Sequence, residues 1–229
     1  MNECIILAGG FGTRLQNVVG EYPKCLAPVN GQPFLSYLFR YLEHQEINRI
    51  ILSLGYKHEL VEEWANAFPS PFGISFAVED EPLGTGGGIK LALKQAAGDH
   101  VTVVNGDTLF AADIPRLINA HLAGKHQVTL ALKPMQNFDR YGCVQLENST
   151  VRQFEEKQPK AAGLINGGVF VIGKNTLDGY PDKFSFEKDY LERNVGTGII
   201  GGLTDNGYFI DIGIPDDYKR AQWEIPEKF

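Results

Sequence analysis

A chain of 229 residues, 43% hydrophobic and 21% charged, is long enough to bury a core without disulfides and too apolar to be a disordered segment. Its 21 basic against 28 acidic residues leave a net charge of −7, which argues against a nucleic-acid binder, and no apolar run reaches the ~18 residues of a membrane span. The three cysteines, Cys4, Cys25 and Cys143, are widely spaced and suit a reducing cytoplasm better than a disulfide frame or a zinc site; the short, acidic start lacks the basic region of a signal peptide.

Cys4–Ala8 is an apolar run that ends in glycines, as a buried parallel strand does. Phe34, Leu38, Tyr41 and Leu42 recur at helical spacing within Pro33–Gln45. Arg49–Leu54 reads as a strand, Lys57–Phe68 as a helix, Ile74–Glu79 as a strand and Gly88–Ala97 as a helix. Val101–Asn105 is a further buried strand and Ile114–Ala123 a further helix. This alternation predicts a parallel sheet with helices on both faces. Beyond about residue 125, Val128–Leu132, Tyr141–Leu146, Val151–Glu155 and Gly167–Ile172 read as strands with short connections. Phe186–Arg193 and Pro215–Trp223 read as helices. The second half is therefore expected to be more antiparallel and to close over the carboxyl edge of the first. The fold class is α/β, with a Rossmann-like mixed, mainly parallel sheet, and 1–229 is read as one domain.

Glycine makes up 26 of the 229 residues, against roughly 7% on average, and it clusters where chemistry is expected. Leu7, Ala8, Gly9, Gly10, Gly12, Thr13 and Arg14 follow the first strand. Glycines let backbone N–H groups approach an anion, and Arg14 adds a charged fork suited to phosphate oxygens. No Gly-Lys-Ser/Thr follows, so this is not a P-loop, and Leu15 stands where a dinucleotide fingerprint needs its third glycine. Glu79-Asp80-Glu81-Pro82-Leu83-Gly84-Thr85-Gly86-Gly87-Gly88 follows the third strand; so many glycines suggest a backbone pressed against something flat, such as a nucleobase. Asn105-Gly106-Asp107 ends a buried strand in a carboxylate of the kind that suits Mg²⁺ with phosphates, while Asp113 is left to cap the next helix. Glu156 and Lys157, alternating at the end of a strand, could meet sugar hydroxyls and a phosphate. Asp211 lies in an apolar stretch and needs a cation; Asp107 and Asp211 are the pair expected on one metal. Asp216 and Asp217 are read as acidic residues of a helix's first turn.

Gly-Gly-Phe-Gly-Thr-Arg-Leu, Pro23-Lys24, Pro-Leu-Gly-Thr-Gly-Gly, Asn-Gly-Asp, Glu-Glu-Lys and Ile-Asp-Ile-Gly, in this order over residues 4–218, resemble the sugar-1-phosphate nucleotidyltransferase family. Within it the likeness is greatest to the members that use GTP and a heptose 1-phosphate. The stretches that carry it are Ala27–Leu35, Gly55–Leu60, Asp139–Gly142, Lys183–Asp189 and Phe209–Tyr218. The resemblance implies the fold of that family and a division into a nucleotide half, 1–125, and a sugar-phosphate half, 126–229. It implies GMP transfer from GTP to the sugar 1-phosphate, with Mg²⁺ as cofactor. Arg14, Lys24 and Asp107 would be catalytic. Leu7, Ala8, Gly9, Gly10, Gly12, Thr13 and Arg14 would hold the nucleotide together with Glu81, Gly84, Thr85 and Gly86. Gly142, Glu156, Lys157 and Asn166 would hold the sugar phosphate, and Asp107 and Asp211 the metal. It implies cytoplasmic synthesis of a precursor for a surface glycan, no nucleic-acid or membrane partner, and room for a homodimer. Another hexose 1-phosphate, or UTP or dTTP as donor, stays open, as does a non-catalytic nucleotide-sugar sensor.

Overall fold

The structure, a computed structural model, describes residues 2–10, 20 and 22–229. Its frame is a nine-stranded sheet in the order β5-β4-β1-β6-β11-β8-β12-β10-β9. β1 (Glu3–Leu7), β4 (Arg49–Leu54), β5 (Gly73–Val78) and β6 (His100–Asn105) are mutually parallel. β8 (Val128–Phe138), β9 (Val144–Glu147) and β12 (Ile200–Thr204) run the same way, and β10 (Thr150–Phe154) and β11 (Lys160–Gly173) run against them. The predicted mixed, mainly parallel sheet is therefore present, and antiparallel pairing enters at β11. Two ribbons stand apart from it: β2 (Pro28–Val29) with β3 (Gln32–Pro33), and β7 (Thr108–Phe110) with β13 (Phe209–Asp211).

Both faces of the sheet are covered, and the strand period explains how. Along β1, Cys4 and Ile6 enter one core while Ile5 enters the other. The first core is capped by α1 (Phe34–Glu43), α2 (His58–Ala67), α4 (Ile114–Gly124) and α6 (Pro215–Glu224). Phe39 of α1 is 1% exposed and meets Trp64, Phe68 and Phe72 edge-on at centroid distances of 5.4, 5.4 and 5.9 Å. The second core is capped by α3 (Gly84–Leu93) and by a π-helical segment, Phe186–Leu191, that runs into α5 (Glu192–Asn194). Asp113 caps α4 as its position predicts, accepting the Arg116 N–H at 2.9 Å.

Three expectations are corrected. α3 begins at Gly84, four residues before the predicted start at Gly88, so the glycine cluster forms its first turns. A Cβ on Gly86 would stand 2.3 Å from the Phe184 ring and one on Gly87 2.2 Å from the Asp182 carbonyl. The close approach these glycines permit is to the chain's own 182–184 segment. β10 ends at Phe154, so Glu156 and Lys157 lie in the connection beyond it and do not alternate on a strand. β11 is 14 residues long rather than the six read from Gly167–Ile172; its start, Lys160-Ala161-Ala162-Gly163, carries no alternation of apolar and polar residues, so the strand shows only in its pairing with β8.

Candidate active site at the carboxyl edge of the sheet

The carboxyl ends of β1, β4, β5 and β6 point to one edge, and the chemistry-bearing residues gather there. After Leu7, Ala8 donates its N–H to the Ser53 carbonyl at 2.9 Å, and Gly9 lies close against the Gly55 backbone. Gly106 donates its N–H to the Leu7 carbonyl at 2.9 Å; a Cβ there would stand 2.7 Å from that oxygen, so only glycine fits. This crossing delivers Asp107 to the edge. Pro23 opens a single 3₁₀ turn, Lys24–Leu26, anchored by buried Cys25 and Leu26. From it the Lys24 ammonium reaches Asp107 Oδ2 at 2.5 Å. The chain thus returns Lys24 to the crevice, which its sequence position alone did not show.

Asp211 ends β13, paired with Thr108 of β7, and the Ile212 N–H donates to the Asp107 carbonyl at 3.0 Å. The ribbon sets the two aspartates beside one another. Gly213 closes the cluster: its N–H donates to Asp211 Oδ1 at 2.6 Å, and its Cβ direction lies 2.7 Å from Lys24 Nζ. Burial pushes the Asp211 carboxyl above its ordinary range and the charge of Asp107 adds to that, while the Gly213 N–H and Lys24 oppose it. A carboxylate kept at such a position gains most from a further cation. No cluster of three or more His, Cys, Asp and Glu suited to a metal occurs among the described residues. Two carboxylates are what Mg²⁺ needs when phosphate oxygens and water fill its other positions, so the pair fits that ion.

From this cluster opens a cavity of about 420 Å³, lined by Asn105, Thr108, Arg140, Tyr141, Lys157, Asn166 and Asp211 among others. A second, of about 510 Å³, shares Tyr141, Lys157 and Asn166 and continues past Gly142 and Glu156 to Glu187, Leu191 and Glu192. The first brings two cations to the aspartate pair; the second is rich in carboxylates over an apolar floor. Glu155 is committed to Lys160 at 2.6 Å and Gln145 at 2.7 Å, which leaves Glu156 the freer neighbour. Asn166 sits at a register shift of β11 and accepts the Gly168 N–H at 3.1 Å.

The remaining predicted residues are distributed around this edge. Gly84 and Thr85 are exposed at the start of α3, where Thr85 Oγ1 donates to Glu187 Oε2 at 2.6 Å, and Gly86 is buried. Glu81 lines a separate cleft of about 290 Å³ with Glu79, Leu83, Lys90 and Lys94. Gly12, Thr13 and Arg14 lie outside the described residues. Three residues escaped the sequence reading as site residues. Glu79 accepts the Leu83 N–H at 3.0 Å and turns its other oxygen to Gly9 and Gly55; burial pushes its carboxyl up. Its place between a strand and a glycine cluster was the available signal. Arg140 lines the first cavity, and Asp217, taken for a simple helix-start acid, is 5% exposed and bound by two arginines.

The sequence model of the Nucleotidyl transferase family matches residues 3–228. The chain belongs to the nucleotidyltransferase family. Within that family it is 46% identical to D-glycero-alpha-D-manno-heptose 1-phosphate guanylyltransferase of Aneurinibacillus thermoaerophilus, over 97% of this chain and 98% of that one. It is 41% identical to the Campylobacter jejuni enzyme of the same name, over 94% and 96%. Among solved structures, HddC from Yersinia pseudotuberculosis complexed with GMP-PN shares 38% identity, with a TM-score of 0.87 over 97% of this chain and 98% of that chain. This nucleotidyltransferase thus carries the lysine and the aspartate pair on the fold of its family.

Proposed function

We propose that the chain transfers GMP from GTP to D-glycero-α-D-manno-heptose 1-phosphate, releasing pyrophosphate. The observation that carries the reading is the convergence of Lys24, Asp107 and Asp211 at the mouth of a cavity that also holds Lys157 and Arg140. By this reading the sugar 1-phosphate occupies the two neighbouring cavities with its phosphate toward Lys157 and Arg140 and its hydroxyls toward Glu156 and Asn166. Its phosphate oxygen is already anionic, so the reaction needs no strong general base. The oxygen attacks the α-phosphorus, a new P–O–P bond forms, and the bond to the β-phosphate breaks. The protein's part is alignment and neutralisation of charge. Lys24 is assigned to the negative charge that the α-phosphate gains, and Lys157 to the sugar phosphate. Gly9, Gly10 and Arg14 are assigned to the triphosphate. Asp107 and Asp211 would hold Mg²⁺, which supplies further charge neutralisation on the phosphates.

Two things support guanine and heptose. The relatives of highest identity quoted above carry guanylyltransferase and heptose 1-phosphate in their names. Glu79 also places a carboxylate beside Gly9, and guanine presents two adjacent donors, N1–H and N2–H, to such a group, whereas uracil and thymine present one. By the same reading the product feeds a surface glycan from the cytoplasm. The test is pyrophosphate release with Mg²⁺ across four nucleoside triphosphates and heptose, mannose and glucose 1-phosphates. Turnover concentrated in GTP with heptose 1-phosphate is expected. Turnover with another pair would replace the substrate and keep the chemistry. Nucleotide binding without turnover of any pair would favour a sensor.

A further inference from the structure

Arg140 and Asp217 come from distant parts of the chain and meet at the wall of the first cavity. Asp217 lies in the first turn of α6, and its side chain is 7% exposed. Its Oδ2 accepts from Arg140 Nη2 at 3.0 Å and its Oδ1 from Arg220 Nη1 at 2.8 Å. Arg220 is in turn held by Glu224 through Nε at 2.8 Å and Nη2 at 3.3 Å, and Glu224 accepts from the Tyr208 hydroxyl at 3.0 Å. Tyr208 directly precedes the strand that carries Asp211. A buried carboxylate requires a cationic partner, and Arg220, one helical turn away, already supplies it. The second arginine is therefore not needed to keep Asp217 buried. Only Arg140 of the two lines the cavity, together with Lys157. A guanidinium has five donors, and the bond to Asp217 leaves others to face an anion. Arg140 also lies over the Tyr141 ring, 5.9 Å from its centroid.

We propose that Arg140 binds the phosphate of the acceptor substrate and that Asp217, clamped by Arg220, is the positioning residue that aims it. The proposal rests on the sugar 1-phosphate reading and adds to it a residue pair that fixes the acceptor phosphate opposite Lys24. It separates the two polyanionic substrates: the nucleotide is served by the loop after β1 and by Lys24, the acceptor by Lys157 and Arg140.

The experiment compares wild type, Arg140→Lys, Asp217→Asn and the double variant. Each single change should raise KM for the sugar 1-phosphate on the order of ten-fold, as loss of one charge-assisted hydrogen bond does, with KM for GTP unmoved. The double variant should be no worse than either alone, because both remove one interaction. A merely structural Asp217 would lower Tm and shift both substrates alike, and its effect would add to that of Arg140→Lys; that pattern overturns the proposal. Arg140→Lys keeps the test open should Asp217→Asn fold poorly. Titration of inorganic phosphate into the same four proteins reads the anion site without turnover. Equal phosphate affinity in wild type and Arg140→Lys would overturn the proposal even if the enzyme is active. Weakened phosphate binding with no turnover of any sugar 1-phosphate would instead keep the anion site and overturn the reaction.

Discussion

Asp211 illustrates a buried charge that works against folding. Its carboxyl is raised first by burial and then by Asp107, so the folded state binds its proton more tightly than the unfolded state does. The charged form that neutral pH enforces therefore opposes folding. Asp211→Asn keeps an oxygen for the Gly213 N–H and removes the charge. The expected outcome is a higher Tm near neutral pH in metal-free buffer, together with a fall in kcat of at least about 100-fold, the scale of losing one stabiliser of developing charge. Thermal melts and steady-state assays on the same preparation check it. A lower Tm would show that the carboxylate is structurally required, and normal turnover would remove it from the reaction.

At the scale of elements, α3 and the 182–187 segment act as one unit. The Gly86 N–H donates to the Phe184 carbonyl at 3.1 Å, Thr85 Oγ1 accepts the Phe186 N–H at 2.9 Å, and Phe184 stacks on Tyr180 at 5.1 Å. The segment carries Glu187 to the second cavity. In Gly86→Ala the new methyl would collide with the Phe184 ring. Overpacking costs about 1–3 kcal/mol, and the better helix propensity of alanine returns about 1. The net cost of up to about 2 kcal/mol predicts a drop in Tm of up to about 8 °C, with a raised KM for the sugar 1-phosphate because Glu187 moves with the segment. A Tm above wild type would mean that the ring yields at no cost and the glycine is not required there.

The whole molecule separates chemistry from its opposite end. β6 opens at His100 and closes at Asn105, so the histidines near His100 stand far from the aspartate pair. His121 is 2% exposed, bonded to Thr129 Oγ1 at 2.9 Å and to His100 Nδ1 at 3.1 Å. Burial first, then His100 and His126, lower its pKa from 6.5 to about 4. The unfolded chain therefore takes the proton first as pH falls. The stability contributed by neutral His121 is complete above about 6.5 and is lost as pH drops towards 4, at most about 3 kcal/mol. Urea denaturation at pH 7.5 and 5.0 should show this loss, and His121→Gln should flatten it relative to wild type. Equal pH slopes would show that the cluster does not titrate.

How much was legible in the sequence can be judged from particular residues. The alternation of strands and helices in the first half was legible because a period of two or 3.6 is a local property of side chains packed on one face. The aspartates and the glycine loops were legible because phosphate chemistry uses such groups at strand ends; Lys24 was legible only through the family resemblance, which also put the set in order. Other features were not local. β7 and β13 are three residues each and exist only because they pair with each other. Gly86 and Gly87 read as ligand-facing until the 182–184 segment lay against them. Asp217 read as a helix-start acid until Arg140, 77 positions earlier, was folded onto it. The order and kinds of residues were enough for the fold class, the family and the chemical types at the site. Which of those groups meet emerged on folding alone, because a pairing between distant residues leaves no periodic mark on either stretch of chain.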